Sequence, residues 1–132
     1  MSLVLSEDQQ LLKDSAKAFV DQNAPVSVLR GLRDSKDDKG YDQNLWRQML
    51  ELGWAGMAIP EAYGGFEFGY GGRGVVLEES GRTLVSSPLI ATVLLGASAI
   101  NELGSEEQKS ELLPQVVSGE LLLALAIDEK PH

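Results

Sequence analysis

The chain has 132 residues, of which 43% are apolar and 23% charged, as expected for one ordinary globular domain. Its net charge of −9 disfavours nucleic-acid binding, and no apolar run approaches the ~20 residues of a membrane span. The absence of cysteine and the single histidine, His132, exclude disulfides and a multi-histidine metal site, so we assign no metal ligand and expect a reducing compartment, the cytoplasm.

Three helices are predicted in the first part of the chain. Ser6 and Gln9 have capping-box spacing, and an apolar stripe of helical period follows them: Leu12, Ala16, Phe19 and Val20. Pro25 is suited to open a short second helix, and Asp42 is suited to cap a third that ends near Gly53.

Pro60–Gly74 is rich in glycine, with six glycines among fifteen residues. This composition predicts tight turns and close backbone approach, with a fourth helix from about Val75 to Leu84. Gly64 and Gly65 also resemble a phosphate-binding loop, but no Lys-Ser or Lys-Thr pair follows them, so turn geometry is the favoured interpretation.

Two further helices are predicted in the second half. Pro88 opens the fifth, which extends to about Ile100, and a capping box of Ser105 and Gln108 opens the sixth, which stops at Gly119. Pro114 lies inside the sixth helix and is expected to kink it or end its regular part early. Five to six helices with short connections predict an all-α fold, an antiparallel helical bundle.

Leu121–Ile127 (LLLALAI) is a continuous apolar run of seven residues. It fits either a buried helix or a buried extended segment, and its short length and the preceding glycine favour the extended form. Without a neighbouring domain, the run is expected to self-associate or to repack as a helix.

Three ordered stretches resemble conserved signatures of the acyl-CoA dehydrogenase family. They are Leu52–Gly65, similar to "LGW-x-G-x-x-x-PE-x-YGG"; Val76–Arg82, similar to "EE-x-GR"; and Leu103–Glu120, similar to "G-[ST]-EEQK…LP…GE". The resemblance extends from about Leu5 to Glu129, and it includes the heteromeric bacterial subgroup of the family.

The resemblance implies that residues 1–120 are the N-terminal helical domain and that residues 121–132 begin a truncated middle β domain. It implies a full-length FAD enzyme that oxidises an acyl-CoA to the trans-2-enoyl-CoA and passes electrons to an electron-transferring flavoprotein, as a homo- or hetero-oligomer. The family's glutamate base lies beyond this region, so no catalytic residue is assigned, and the chain alone is expected to be inactive and without flavin. The alternative is a non-catalytic assembly subunit of a heteromeric complex.

The resemblance also implies a flavin edge at Leu125, Ile127 and Asp128. Asp128 stands where many family members have threonine, and a carboxylate beside the flavin disfavours its anionic reduced form. The alternative interpretation is a core strand that Asp128 caps.

The fifth helix matches the family helix that forms part of the acyl pocket. Ala91 and Leu95 are expected to face the substrate, with Thr92 nearby, whereas the alternative is a helix that belongs wholly to the core. On the fourth helix, adjacent Glu78 and Glu79 point about 100° apart, so a surface ion pair with Arg82 is favoured over a shared-proton acid pair.

Overall fold

Two helices begin at serines whose side chains satisfy the first backbone amides. The computed structural model describes residues 4–127. Ser6 Oγ accepts a hydrogen bond from the Gln9 amide at 3.2 Å, and the Gln9 side chain accepts one from the Ser6 amide at 3.1 Å. Ser105 and Gln108 repeat this arrangement, so both predicted capping boxes are confirmed.

The predicted all-α class is confirmed over residues 4–127, which contain no β-strand. No helix among these residues is long and apolar enough to cross a bilayer. The α-helices are α1 (Glu7–Asn23), α2 (Val26–Ser35), α3 (Gln43–Glu51), α4 (Gly69–Arg82), α5 (Ser98–Leu103) and α6 (Glu106–Ser118), with a π-helix at Leu89–Ala97 and 3-10 turns at Trp54–Gly56 and Glu61–Tyr63.

The described residues form two compact units. The first contains residues 4–48 and Phe68–Ser87, and the second contains Met49–Glu67 and residues 88–127. In the first unit α1 packs along α4, and the buried residues of these two helices include Ala16, Val20, Val75 and Val76.

Helix α4 begins at Gly69, six residues before the predicted start at Val75. A β-carbon on Gly71 would lie 2.3 Å from Gln9 Nε2, and one on Gly72 would lie 2.8 Å from Phe68 Cβ. Gly72 therefore leaves no room for a β-carbon, whereas the obstacle at Gly71 is the end of the flexible Gln9 side chain; each glycine costs about 1 kcal/mol relative to alanine in a helix. Glycine content alone predicted turns because it does not report this tertiary contact.

In the second unit, the π-helix continues directly into α5, and both contact α6. The predicted fifth helix therefore has the right extent, but its first nine residues are π-helical. Helix α6 runs through Pro114 to Ser118, so of the two predicted effects of the proline the early end does not occur, and the predicted stop at Gly119 is confirmed. Leu113 and Val116, on either side of the proline, are fully buried and hold the helix in place. Gly119 then ends α6 with a φ of 80°.

Leu121–Ile127 is not helical, which agrees with the favoured extended form, whereas the predicted burial is wrong. Leu121 and Leu123 are half-buried, and the rest of the run is exposed. The expected repacking as a helix does not occur. An apolar run of this kind is expected to pack against another surface, but hydrophobicity does not show whether that surface lies within the same chain.

Candidate functional site

The predicted substrate-contacting residues lie on different sides of the π-helix. Ala91 and Leu95 are exposed, with 43% of the Leu95 surface accessible. Thr92 is 1% exposed. Two of the three residues are therefore available to a ligand in this conformation, and Thr92 can influence one only through the group it contacts.

The Thr92 hydroxyl binds the backbone of Leu123 at two points. Thr92 Oγ1 accepts a hydrogen bond from the Leu123 amide at 3.0 Å and donates one to the Leu123 carbonyl at 3.1 Å. A hydroxyl can do both because it carries one donor and two acceptor lone pairs. The extended segment is thus attached to the helix that carries Ala91 and Leu95.

Gly96 brings the same two elements into close contact. A β-carbon at Gly96 would lie 2.5 Å from Leu123 Cβ and 3.1 Å from its Cδ1 atom. Only glycine leaves this space free. The sequence carries no local signal for this contact, because Thr92 and Leu123 are 31 residues apart.

The predicted cofactor-contacting residues are partly described. Leu125 is 45% exposed and Ile127 is 74% exposed, so both present apolar side chains at the surface of the second unit. Asp128, the third predicted residue, lies outside the described residues. The exposed leucine and isoleucine fit the requirement of a flat apolar ring for an apolar wall.

Two concave regions lie in the first unit. One, of about 510 Å³, is lined mainly by polar and charged side chains that include Asp37, Asp42 and Arg47. The other, of about 210 Å³, is lined by Leu12, Phe68 and Gly72 together with polar residues of α1. Asp37 and Asp42 have structural roles, since each accepts hydrogen bonds from two backbone amides of the following turn.

A charged network joins α1 to α4. Arg82 Nε lies 2.8 Å from Glu79 Oε2 and its terminal nitrogen contacts Asp21, while Lys13 lies 2.9 Å from Glu78. The hydrogen bond that Arg82 donates to Glu79, and then the one it donates to Asp21, raise the pKa of Arg82. The predicted pairing with Arg82 is confirmed, but Glu79 is only 4% exposed, so the contact is not the surface pair that was expected.

A second polar contact links the 3-10 turn Glu61–Tyr63 to α6. The Tyr63 hydroxyl donates to Glu106 Oε2 at 2.8 Å. This bond, followed by the one from Lys109, lowers the pKa of Glu106, and the same carboxylate raises the pKa of Tyr63. Both groups stabilise the start of α6. Within residues 4–127 no three acidic or histidine side chains converge as a metal site.

Comparison with known proteins identifies one family. The sequence profile described as acyl-CoA dehydrogenase, N-terminal domain, matches residues 6–120. The acyl-CoA dehydrogenase IpdE2 of Mycolicibacterium smegmatis is 38% identical over 109 residues, which are 82% of this chain and 34% of that protein. The chain thus spans about a third of that relative's length.

Solved structures agree. The ChsE4-ChsE5 complex from Mycobacterium tuberculosis matches with a TM-score of 0.86 and 30% identity, over 98% of this chain and 35% of that one. An acyl-CoA dehydrogenase complexed with FAD from Bacillus anthracis matches with a TM-score of 0.75 and 25% identity, over 90% of this chain and 20% of that one.

Proposed function

The chain belongs to the acyl-CoA dehydrogenase family, and from this premise we propose that it is the N-terminal helical domain of an FAD-dependent acyl-CoA dehydrogenase. In this proposal residues 1–120 form the helical domain and residues 121–132 lead into a β domain. The observation that carries the proposal is the attachment of the exposed apolar segment at 121–127 to the helix that presents Ala91 and Leu95.

The proposed role of this chain is to supply one wall of the acyl pocket and one edge of the flavin site. Ala91 and Leu95 line the acyl chain, with Thr92 behind them, and their apolar surfaces exclude water from the carbons to be oxidised. The complete enzyme converts an acyl-CoA to the trans-2-enoyl-CoA and passes electrons to an electron-transferring flavoprotein. We assign the catalytic base to a part of the enzyme outside these residues, so the 132-residue chain alone has no turnover.

Leu125 and Ile127 are the described residues proposed to hold FAD. When bound, FAD supplies the acceptor for the hydride that leaves the substrate β-carbon. Their exposed apolar side chains fit one edge of the ring, and free backbone groups of an extended segment can satisfy its polar atoms. Asp128 completes the proposed edge, where its carboxylate would disfavour an anionic reduced flavin unless protonated or turned away.

A second candidate is a non-catalytic assembly subunit in a heteromeric enzyme. Two observations favour it: the similarity to the ChsE4-ChsE5 complex and the presence of Asp128 at the proposed flavin edge. In that case the chain would contribute helices to an interface and its partner would hold most of the flavin contacts.

A visible absorption spectrum separates the two candidates. The open reading frame that contains this chain is expressed alone and together with its genomic neighbour, and each purified protein is scanned for the flavin band at roughly 450 nm. Flavin in the protein expressed alone, together with reduction of that band by an acyl-CoA, supports the enzyme. A colourless protein that becomes yellow only with its neighbour supports the assembly subunit. Dehydrogenation of any acyl-CoA by the 132-residue chain would contradict the proposed division of labour.

A further inference from the structure

We propose that Thr92 and Gly96 form a notch that sets the register of the extended segment at 121–127, which makes Thr92 a positioning residue for the flavin edge. The flavin part of this inference rests on the proposed function, whereas the notch itself rests on geometry alone. Thr92 bonds both backbone groups of Leu123, and Gly96 makes room for the Leu123 β-carbon.

The two halves of the notch select different features of one residue. The Thr92 hydroxyl holds the backbone amide and carbonyl of residue 123, as a paired strand would. Gly96 admits the side chain, because any β-carbon there would lie 2.5 Å from Leu123 Cβ. A segment shifted by one residue would point its neighbouring side chain away from Gly96, so both contacts cannot form again together.

Register matters here because side chains alternate along an extended chain. In an extended chain the side chains of residues 125 and 127 share the face of residue 123, and those of residues 124 and 126 point to the opposite face. A slip of one residue would exchange the two sets and replace a leucine and an isoleucine with two methyl groups. The notch therefore decides whether bulky or small side chains form the wall continuous with Leu123.

Distance along the chain shows how closely the notch controls the proposed flavin contacts. An extended chain advances about 3.3 Å per residue, so the α-carbon of Leu125 lies about 7 Å beyond Leu123, and that of Ile127 about 13 Å beyond it. The exposed residues of the segment have few contacts of their own, and the bonds to Thr92 are the described hydrogen bonds that hold residue 123.

Amide hydrogen exchange of Leu123, measured by NMR on the 132-residue chain, tests the notch. Thr92→Val keeps the side-chain shape but removes the hydroxyl, and we expect Leu123 to exchange about five- to tenfold faster. Thr92→Ser keeps the hydroxyl and should restore slow exchange. Thr83→Val is the matched control, because the Thr83 hydroxyl is buried and has no hydrogen-bond partner among the described residues. Unchanged Leu123 exchange in Thr92→Val would overturn the proposal.

Gly96→Ala tests the steric half independently and covers the case in which Thr92→Val fails to fold. Alanine is the better helix former, so the helix should persist while the new β-carbon displaces Leu123. Faster exchange at Leu123 with unchanged helical content is expected. Slow Leu123 exchange in this variant would contradict the notch.

The flavin consequence is measured separately in the complete flavoprotein. Thr92→Val should shift the flavin spectrum and lower kcat more than it raises KM, whereas Thr92→Ser should retain both. A normal spectrum and kcat in Thr92→Val would refute the positioning role. If the complete protein binds no flavin with or without its partner, the proposed function fails, and the Leu123 exchange rates still decide whether the notch exists.

Discussion

Gly64 and Gly65 are adjacent in the sequence, but the structure requires glycine at each for a different reason, and alanine should therefore carry unequal costs. Gly64 has a φ of 85° and open space around it. Gly65 is buried, and a β-carbon there would lie 1.9 Å from the Ile59 carbonyl oxygen and 2.4 Å from its carbonyl carbon. The obstacle at Gly65 is backbone, which cannot rotate away as a side chain can.

The cost of Gly65→Ala follows from the movement it forces. The β-carbon needs about 1.3 Å more separation from the Ile59 oxygen to reach ordinary contact, and that oxygen already accepts the Glu67 amide at 3.2 Å. Overpacking of about 1–3 kcal/mol plus one weakened backbone bond of about 1 kcal/mol gives a loss of about 3 kcal/mol. Gly64→Ala meets no atom, so it costs only the left-handed conformation, about 1 kcal/mol.

Urea unfolding, followed by far-ultraviolet circular dichroism, measures both variants against the unmodified chain. Gly64→Asn is the control for conformation, because asparagine tolerates the left-handed region better than alanine and should recover part of the loss. Gly74→Ala is the control for the substitution itself, since it lies inside α4 with nothing within 4 Å and should be neutral or stabilising. Equal losses for Gly64→Ala and Gly65→Ala would refute the steric reasoning.

Two further predictions concern charged groups. Glu79→Gln should lower the unfolding midpoint at pH 7 by about 3–5 °C, because a buried carboxylate bonded to Arg82 becomes neutral. The control Glu78→Gln changes a side chain that is 64% exposed and should alter the midpoint little. Equal effects of the two variants in calorimetry would contradict the assigned burial of Glu79. Tyr63→Phe removes the largest cause of the lowered Glu106 pKa, so that pKa should rise toward its ordinary value in an NMR titration. A carboxyl group whose pKa is lowered by folding stabilises the fold at pH values above its ordinary pKa, and this contribution is lost as the pH falls through the folded-state pKa. The loss of stability on acidification should therefore be smaller in Tyr63→Phe. An unchanged Glu106 pKa in this variant would disprove the linkage.

The correct predictions concern interactions between residues close together in the chain. Ser6 with Gln9 and Asp42 with the amides that follow it form their hydrogen bonds within three residues, as the sequence predicted. Glu79 and Arg82 pair at the same short separation. Such contacts depend on helical geometry alone, so residue type and spacing are sufficient to predict them.

The ordered motifs also identify the family from sequence alone, since Leu52–Gly65 and Leu103–Glu120 match family signatures in order. Motif spacing did not predict which of the implied site residues would be exposed. Ala91 and Leu95 are exposed and Thr92 is buried, although all three lie in one apolar helix whose sequence does not distinguish its two sides clearly.

Several of the errors arise from contacts between distant residues. Gly71 lies in α4 against Gln9 of α1, and Glu79 is buried where α1 and α4 pack together. Thr92 and Leu123 are 31 residues apart, so no local pattern predicts that one hydroxyl will hold the other's backbone. The capped helix starts and the family follow from local chemistry, whereas the start of α4, burial and the contacts of the segment at 121–127 follow from packing, because packing energy depends on which distant surfaces meet.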